Sequence, residues 1–283
     1  MMEQIHNTFL KHKNSILAQF NLVSSDNPVA FLLGGQPASG KSDLIKIIQA
    51  TYEENFLVIN GDDFRCHHPD YKELIKNIAD FSRITQPYSN IFTENLINEA
   101  IKNNFNVIIE GTMRNPNIPI KTANLLKNNN FKVHAAIIAS HPIISELALY
   151  ERFYNEVLLD GYGRLADINS HNQACTNLLK SADMLYNSNS VDTIQIFSNY
   201  PIAQIHNLPC SFSKNNSTLP STLIERQRTK QIQQQDFLNS RINAAKNLLL
   251  QLNPSLKMNM IKIISDLKAL QKNASIKPYR RKM

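Results

Sequence analysis

The sequence lacks the features that mark membrane proteins and small disulfide-bonded proteins. No run approaches the roughly 18 consecutive apolar residues of a membrane helix, and the N-terminus has no basic segment followed by an apolar one. The three cysteines stand far apart with no C-x-x-C pair, which argues against a disulfide framework and a zinc site. The sequence therefore predicts a protein without a transmembrane segment in a reducing compartment, the cytoplasm by default, with export as an effector left open.

Acidic side chains are scarce in only one part of the chain. Residues 221–283 hold 13 lysines and arginines against 3 acidic residues, whereas residues 1–220 have a slight acidic excess. Such a tail can bind an acidic partner, such as nucleic acid, anionic lipid or an acidic protein. The alternative is that these side chains are solvated on helix surfaces.

Short apolar runs alternate with segments of helical periodicity over the first 200 residues or so. The predicted strands are 29–33, 56–60, 105–110, 133–139 and 193–197, and the predicted helices are 3–22, 42–53, 91–103, 118–128, 142–158 and 172–186. This alternation is typical of an α/β fold with a mainly parallel sheet covered on both faces, in which ligands bind at the carboxyl ends of the strands.

The alternating pattern weakens after residue 197, where the chain becomes rich in Ser, Asn and Pro. We predict one domain over residues 1–205 and a basic, mainly helical C-terminal extension over residues 206–283. Within the extension, a break at Asn253-Pro254 predicts two helices in residues 222–272.

A phosphate-binding loop (P-loop) follows the first predicted strand and fits the pattern G-x-x-x-x-G-K-[ST]. Its residues are Gly35, Gln36, Pro37, Ala38, Ser39, Gly40, Lys41 and Ser42. In this motif backbone N–H groups surround the β-phosphate, the lysine bridges the β- and γ-phosphates, and the hydroxyl binds Mg²⁺. The loop lies between a strand and a helix, so it predicts ATP binding with Lys41 as a catalytic residue and Ser42 as the metal ligand.

Two motifs of other P-loop classes are missing. The chain has no N-K-x-D for guanine recognition, and the third predicted strand ends in V-I-I-E-G where a motor-type ATPase usually has Asp-Glu. A small-molecule kinase is left. The predicted fold is a P-loop NTPase-type three-layer sandwich with a C-terminal helical extension.

Two carboxylates, Asp62 and Asp63, come directly after the second predicted strand. A carboxylate there would face the γ-phosphate and could accept the proton of the acceptor hydroxyl. Asp62 is the preferred catalytic base. Asp63 is the alternative, and otherwise we assign it to capping the following turn.

Several segments, in order, resemble the zeta toxin family of UDP-N-acetylglucosamine kinases over roughly residues 25–200. They are the P-loop, N-G-D-D-F-R at 60–65 with H-P at 68–69, T-Q-P-Y-S-N at 85–90 with Glu94, E-G-T-M-R at 110–114, P-I-K-T at 119–122, and Glu151-Arg152 with the later Arg164. Gly61 departs from the pattern because a polar residue is expected before the catalytic aspartate.

The resemblance implies an acceptor, a partner and a set of residues. The acceptor would be a UDP-N-acetyl amino sugar phosphorylated on its 3-hydroxyl, and the partner an antitoxin protein. Arg152 and Arg164 would act as catalytic arginines on the transferring phosphoryl group. The residues that would hold the acceptor are Asp62, Glu94, Glu110, Thr112, Arg114 and Thr122.

Two other functions stay open at this point. The first is a P-loop kinase with a different acceptor, such as a nucleoside, an antibiotic or another metabolite. The second is a nucleotide-sensing module whose tail contacts nucleic acid or membrane, with an affinity that falls steeply with salt. Its contact residues would be Arg226, Arg228, Lys230, Arg241 and Lys246.

Overall fold

Residues 2–52, 55–75, 78–161, 163, 165–210, 218–252 and 254–276 are described by a computed structural model. Six strands form one sheet in the order β2-β3-β1-β4-β5-β6. The strands are β1 (Val29–Gly34), β2 (Leu57–Asn60), β3 (Val107–Glu110), β4 (Lys132–Ile138), β5 (Thr193–Ser198) and β6 (Ala203–Pro209). The first five are parallel and β6 runs antiparallel to β5.

The helices lie before, between and after these strands. They are α1 (Met2–Leu17), α2 (Lys41–Tyr52), a 3-10 helix (Gly61–His67), α3 (Tyr71–Leu74), α4 (Ile78–Asn103), α5 (Asn117–Lys127), α6 (Pro142–Asp160), α7 (Ile168–Ser188), α8 (Pro220–Gln233), α9 (Gln235–Gln251) and α10 (Pro254–Ile276). In the part of the chain that the structure describes, no helix has both the length and the apolar character to cross a membrane.

The sheet order positions the P-loop. β1 pairs with β3 on one side and with β4 on the other. The strand order therefore reverses at β1, with β2 and β3 on one side of it and β4, β5 and β6 on the other. Ligands of open α/β sheets bind at such a reversal, outside the carboxyl ends of the strands. Both faces of β1 are buried, which explains its continuous apolar run.

Helices cover both faces of the sheet. On one face Phe92 of α4, Leu178 of α7 and Ile224 of α8 belong to the largest apolar cluster. On the other face Leu44 and Ile48 of α2 pack against the strands. The predicted three-layer α/β fold with a helical extension is therefore confirmed.

A separate apolar cluster joins the extension to α6. Tyr150 and Tyr154 of α6 pack with Leu238 and Ile242 of α9 and with Ile263 of α10. The last two helices therefore bury their apolar faces against the α/β part of the chain.

Several boundaries differ from the prediction. The described part of the extension contains three helices rather than two, because α8 ends at Gln233. Its C-cap Gln234 is neither a glycine nor a proline. α4 begins at Ile78, well before the predicted start at residue 91, and it contains Pro87. The unpredicted β6 is a half-exposed edge strand without a continuous apolar run. The proposed division at residues 205/206 falls inside this strand.

The basic tail is only partly exposed. Arg226, Lys230 and Lys246 are exposed, but Arg228 is only 3% exposed, and Arg241 forms an ion pair with Glu151 of α6. The interpretation of all five residues as one contact surface is therefore wrong for Arg228 and Arg241. An acidic partner for the other three stays a prediction.

Candidate active site

The P-loop has the backbone geometry of an anion site. Ala38 and Gly40 have positive φ angles of 58° and 99°, and alternation of left-handed and ordinary conformations turns successive N–H groups toward one point. The Lys41 Nζ donates to the backbone oxygens of Gly35 at 3.0 Å and Gln36 at 3.1 Å. Ser42, the predicted metal ligand, is exposed in the first turn of α2.

Three of the predicted residues shift the pKa of Lys41 in addition to its burial. Burial lowers the pKa of Lys41, the carboxylates of Glu110 and Asp62 raise it, and the Arg152 guanidinium lowers it further. The Nζ lies 3.7 Å from the Glu110 Oε1. Side chains from α2, β3, the 3-10 helix and α6 are thus brought together around the loop.

Asn60 caps the 3-10 helix that carries the two aspartates. Its Oδ1 accepts a hydrogen bond from the Asp62 N–H at 3.2 Å, and its Nδ2 donates to the Asp63 Oδ1 at 3.0 Å. The assignment of Asp63 to capping is therefore wrong, because the last residue of β2 has this role. Burial raises the pKa of Asp63, and the negative charges of Glu110 and Asp62 raise it further.

Arg65 was not predicted as a site residue, yet it connects Asp62 to α4. Its side chain is 7% exposed, and its Nε donates to the Asp62 Oδ1 at 2.7 Å. The other guanidinium nitrogens donate to the Ser82 backbone oxygen, the Thr85 hydroxyl and the Gln86 Oε1 at 2.9–3.1 Å. The sequence signals were its place in the segment N-G-D-D-F-R and its position three residues after a candidate base.

We expect Arg65→Met to lower the free energy of unfolding by about 1–3 kcal/mol, because its acceptors would lose hydrogen bonds to a charged, buried donor. Urea denaturation measures the change. Arg83→Met is the matched control, since Arg83 also bonds an aspartate three residues earlier but has 75% of its side chain exposed. Equal losses in the two variants would contradict the role assigned to Arg65.

A cavity of about 510 Å³ lies beside the P-loop at the carboxyl ends of the strands. Four of the predicted acceptor residues line it: Glu110, Thr112, Arg114 and Thr122. Asp62 is not among its lining residues, although the preceding Gly61 is. Glu94 is exposed and does not line it either. Its neighbour Thr93 does, because consecutive residues of a helix differ by about 100° in direction.

Helix α4 contributes further residues to this cavity. Gln86, Ser89 and Thr93 line it together with Gly61. A Cβ atom at Gly61 would lie 2.5 Å from the Ser89 Oγ and 3.2 Å from the Thr93 Oγ1. The glycine before Asp62 therefore lets the 3-10 helix approach α4 closely, which is the physical reason for its departure from the expected pattern.

Met113, the variable position of E-G-T-x-R, anchors this loop. It has a positive φ angle of 51° and is buried. Its backbone oxygen accepts a hydrogen bond from the Ser181 hydroxyl of α7, and its side chain packs against Gly34, where a Cβ would lie 2.4 Å from the Met113 sulfur. These contacts fix Thr112 and Arg114 on either side.

Of the two predicted catalytic arginines, only Arg152 lies in the part of the chain that the structure describes. Arg152 is on α6, and its Nε lies 3.8 Å from the Glu156 Oε1 with about half of the side chain exposed. The positive charge of Arg152 lowers the pKa of Lys41. Arg164 lies outside the described residues, so its role stays a prediction.

Comparison with known proteins identifies the family. A profile described as "Zeta toxin" matches residues 13–210. The chain belongs to the zeta toxin family. Toxin PezT of Streptococcus pneumoniae serotype 4 is 31% identical over 203 residues, which are 71% of this chain and 78% of PezT. Toxin zeta of Streptococcus agalactiae is 29% identical over 215 residues, which are 75% of each chain.

A solved structure supports the same assignment. A chain of the PezAT chromosomal toxin-antitoxin system of Streptococcus pneumoniae superimposes with a TM-score of 0.67 at 26% identity, over 80% of this chain and 86% of that chain. As a member of the zeta toxin family, the chain is a kinase-like toxin with a P-loop fold. The family profile ends directly after β6, so α8, α9 and α10 lie beyond it.

Proposed function

We propose that the protein transfers the γ-phosphate of ATP to the 3-hydroxyl of a UDP-N-acetyl amino sugar, UDP-N-acetylglucosamine being the leading candidate. The observation that carries this proposal is the position of Glu110. Its carboxylate lies 3.7 Å from the Lys41 Nζ and also lines the acceptor cavity. One side chain thus joins the phosphate-binding loop to the space in which the acceptor would bind.

The P-loop residues would bind and orient ATP. The backbone N–H groups of the loop surround the β-phosphate, and Lys41 moves from its bonds with the Gly35 and Gln36 oxygens to bridge the β- and γ-phosphates. The exposed Ser42 hydroxyl at the start of α2 could hold Mg²⁺, which prefers oxygen ligands. When bound, Mg²⁺ would neutralise negative charge on the phosphates of ATP.

Asp62 would act as the general base. The acceptor 3-oxygen forms a bond to the γ-phosphorus, the bond from that phosphorus to the β,γ-bridging oxygen breaks, and the hydroxyl proton passes to the Asp62 carboxylate. Arg65 orients this carboxylate through its Nε at 2.7 Å. Arg152 would stabilise the charge that spreads over the transferring group. The products are ADP and a 3-phosphorylated UDP sugar.

Release of ADP in the presence of different acceptors tests the proposed substrate class. We expect release to depend on UDP-N-acetylglucosamine or a close amino-sugar analogue, and to stop with an analogue that lacks the 3-hydroxyl. Release that instead requires a nucleoside or an aminoglycoside antibiotic would contradict the acceptor and leave the kinase assignment in place. ATP binding without any acceptor-dependent release would favour the nucleotide-sensing module.

We expect Arg114→Ala to raise the KM for the UDP sugar about 10- to 100-fold, because the diphosphate would lose a charged hydrogen-bond donor. The KM for ATP should stay near the wild-type value. Lys121→Ala is the matched control, since Lys121 is an exposed cation on α5 outside the cavity lining. Steady-state kinetics measure both constants, and a larger effect on ATP than on the sugar would contradict the assignment.

An antitoxin partner is also proposed. The structural relative comes from the PezAT toxin-antitoxin system, and a kinase that consumes a common sugar nucleotide must be restrained in the cell that makes it. Co-expression with the product of a neighbouring reading frame should remove the growth defect that the protein causes alone. Equal toxicity of the wild-type protein with and without that product would argue against the pairing.

A further inference from the structure

Helix α8 has two buried polar side chains on one face. Arg228 and Gln231 are 3% and 1% exposed and lie three residues apart, so they point to the same side of the helix. A buried guanidinium is stable only when its N–H groups are bonded. Arg228 donates to the Ser140 oxygen at 3.1 Å, the Cys175 oxygen at 3.0 Å and the Glu225 carboxylate at 2.7 Å.

The Ser140 oxygen joins α8 to the phosphate-binding loop. It accepts one hydrogen bond from the Arg228 Nε at 3.1 Å and another from the Gln36 Nε2 at 2.7 Å. Gln36, the second residue of the loop, is fully buried and also donates to the Ser145 hydroxyl at 3.1 Å. A single backbone oxygen therefore separates a side chain of the extension from a side chain of the P-loop.

Gln231 connects α8 to the other end of the loop. Its Oε1 accepts from the His141 N–H at 2.6 Å, and its Nε2 donates to the Asn199 oxygen at 3.0 Å. The Asn199 side chain packs against Gly40, where a Cβ would lie 3.3 Å from the Asn199 Oδ1. Two residues of α8 thus hold the segments that contact the beginning and the end of the loop.

We propose that α8 holds the P-loop in its phosphate-binding conformation and that Arg228 and Gln231 are positioning residues for ATP. The loop binds phosphate through several N–H groups that must point at one centre, so a small displacement of Gln36 or Gly40 misaligns several donors together. The extension then supports the nucleotide site through buried contacts. This inference rests on the proposed function only in taking ATP as the nucleotide.

Titration of the full-length protein with a fluorescent ATP analogue tests this role of α8. We expect Arg228→Ala and Gln231→Ala each to raise the Kd for the nucleotide about 10- to 100-fold. Arg226→Ala and Gln233→Ala are the matched controls, because both residues are exposed on the same helix. The Kd of each control should stay within about twofold of wild type, and UDP-N-acetylglucosamine binding, measured by calorimetry, should change in none of the four.

Arg228→Lys separates positioning from folding. Lysine keeps the charge but lacks the planar guanidinium that bonds three acceptors, so we expect a folded protein with weakened ATP binding and unchanged acceptor binding. If the alanine variants do not fold, this variant alone decides. Wild-type affinity for ATP in the folded variants, or equal losses for ATP and sugar, would overturn the proposal. Since the titration needs no acceptor, a wrong sugar assignment would appear only as absent sugar binding in the wild type.

Discussion

Asp62→Asn is expected to reduce turnover about 10²- to 10⁴-fold, the usual contribution of a general base. Asparagine keeps the size of the side chain and can still accept the hydrogen bond from Arg65, so the 3-10 helix should hold its position. It cannot take the proton of the acceptor hydroxyl. ATP affinity should stay within about twofold of wild type, because the loss is confined to the chemical step.

Asp63→Asn is the matched control for this experiment. Asp63 bonds the Asn60 amide at 3.0 Å, and an asparagine there keeps an oxygen for the same bond. We expect turnover of Asp63→Asn to remain within about tenfold of wild type. A larger loss in Asp63→Asn than in Asp62→Asn would move the base to Asp63.

Lys41→Met is expected to reduce turnover about 10²- to 10³-fold, the effect of removing one preorganised donor from a developing charge. The protein should remain folded, because methionine fills a similar volume and burial already disfavours the charged lysine, as its lowered pKa shows. Thermal denaturation and steady-state kinetics on the same preparation separate the two effects.

Lys46→Met serves as the control for Lys41. Lys46 lies on the same helix, five residues further on, with 76% of its side chain exposed. Its removal should leave turnover unchanged within about twofold. A folded Lys41→Met protein with wild-type turnover would contradict the assignment of the loop to ATP.

Local sequence patterns predicted which residues lie together at one edge of the sheet. The P-loop and Asp62 follow strands of the parallel sheet and Glu110 is the last residue of β3. The carboxyl ends of parallel strands meet at one edge of the sheet. Their mutual proximity was therefore a consequence of fold class. The motif at 110–114 brought Thr112 and Arg114 to the same edge.

Residues on helices were harder to assign, because their direction depends on how each helix packs. Glu94 is the residue predicted on α4, whereas its neighbour Thr93 lines the cavity. Arg65, Arg228 and Gln231 make buried hydrogen bonds to other segments of the chain. Neither spacing nor composition distinguishes such side chains from the solvated ones nearby, as Arg226 and Arg228 on one helix demonstrate.

The edge strand β6 and the helix break in the extension could not be predicted for a different reason. β6 has an exposed face and lacks the continuous apolar run of the inner strands. The break at Gln234 has no turn-forming residue, and it arises where α9 turns to pack on α6. Both features are set by tertiary contacts.

Mass spectrometry of UDP-N-acetylglucosamine, incubated with ATP, Mg²⁺ and either the wild-type protein or Asp62→Asn, tests the proposed transfer most directly. A sugar nucleotide carrying one additional phosphoryl group, formed by the wild type and almost absent with Asp62→Asn, is the predicted result. Unmodified sugar nucleotide with a wild-type protein that binds ATP would contradict the acceptor assignment, and equal product with both proteins would contradict the role of Asp62.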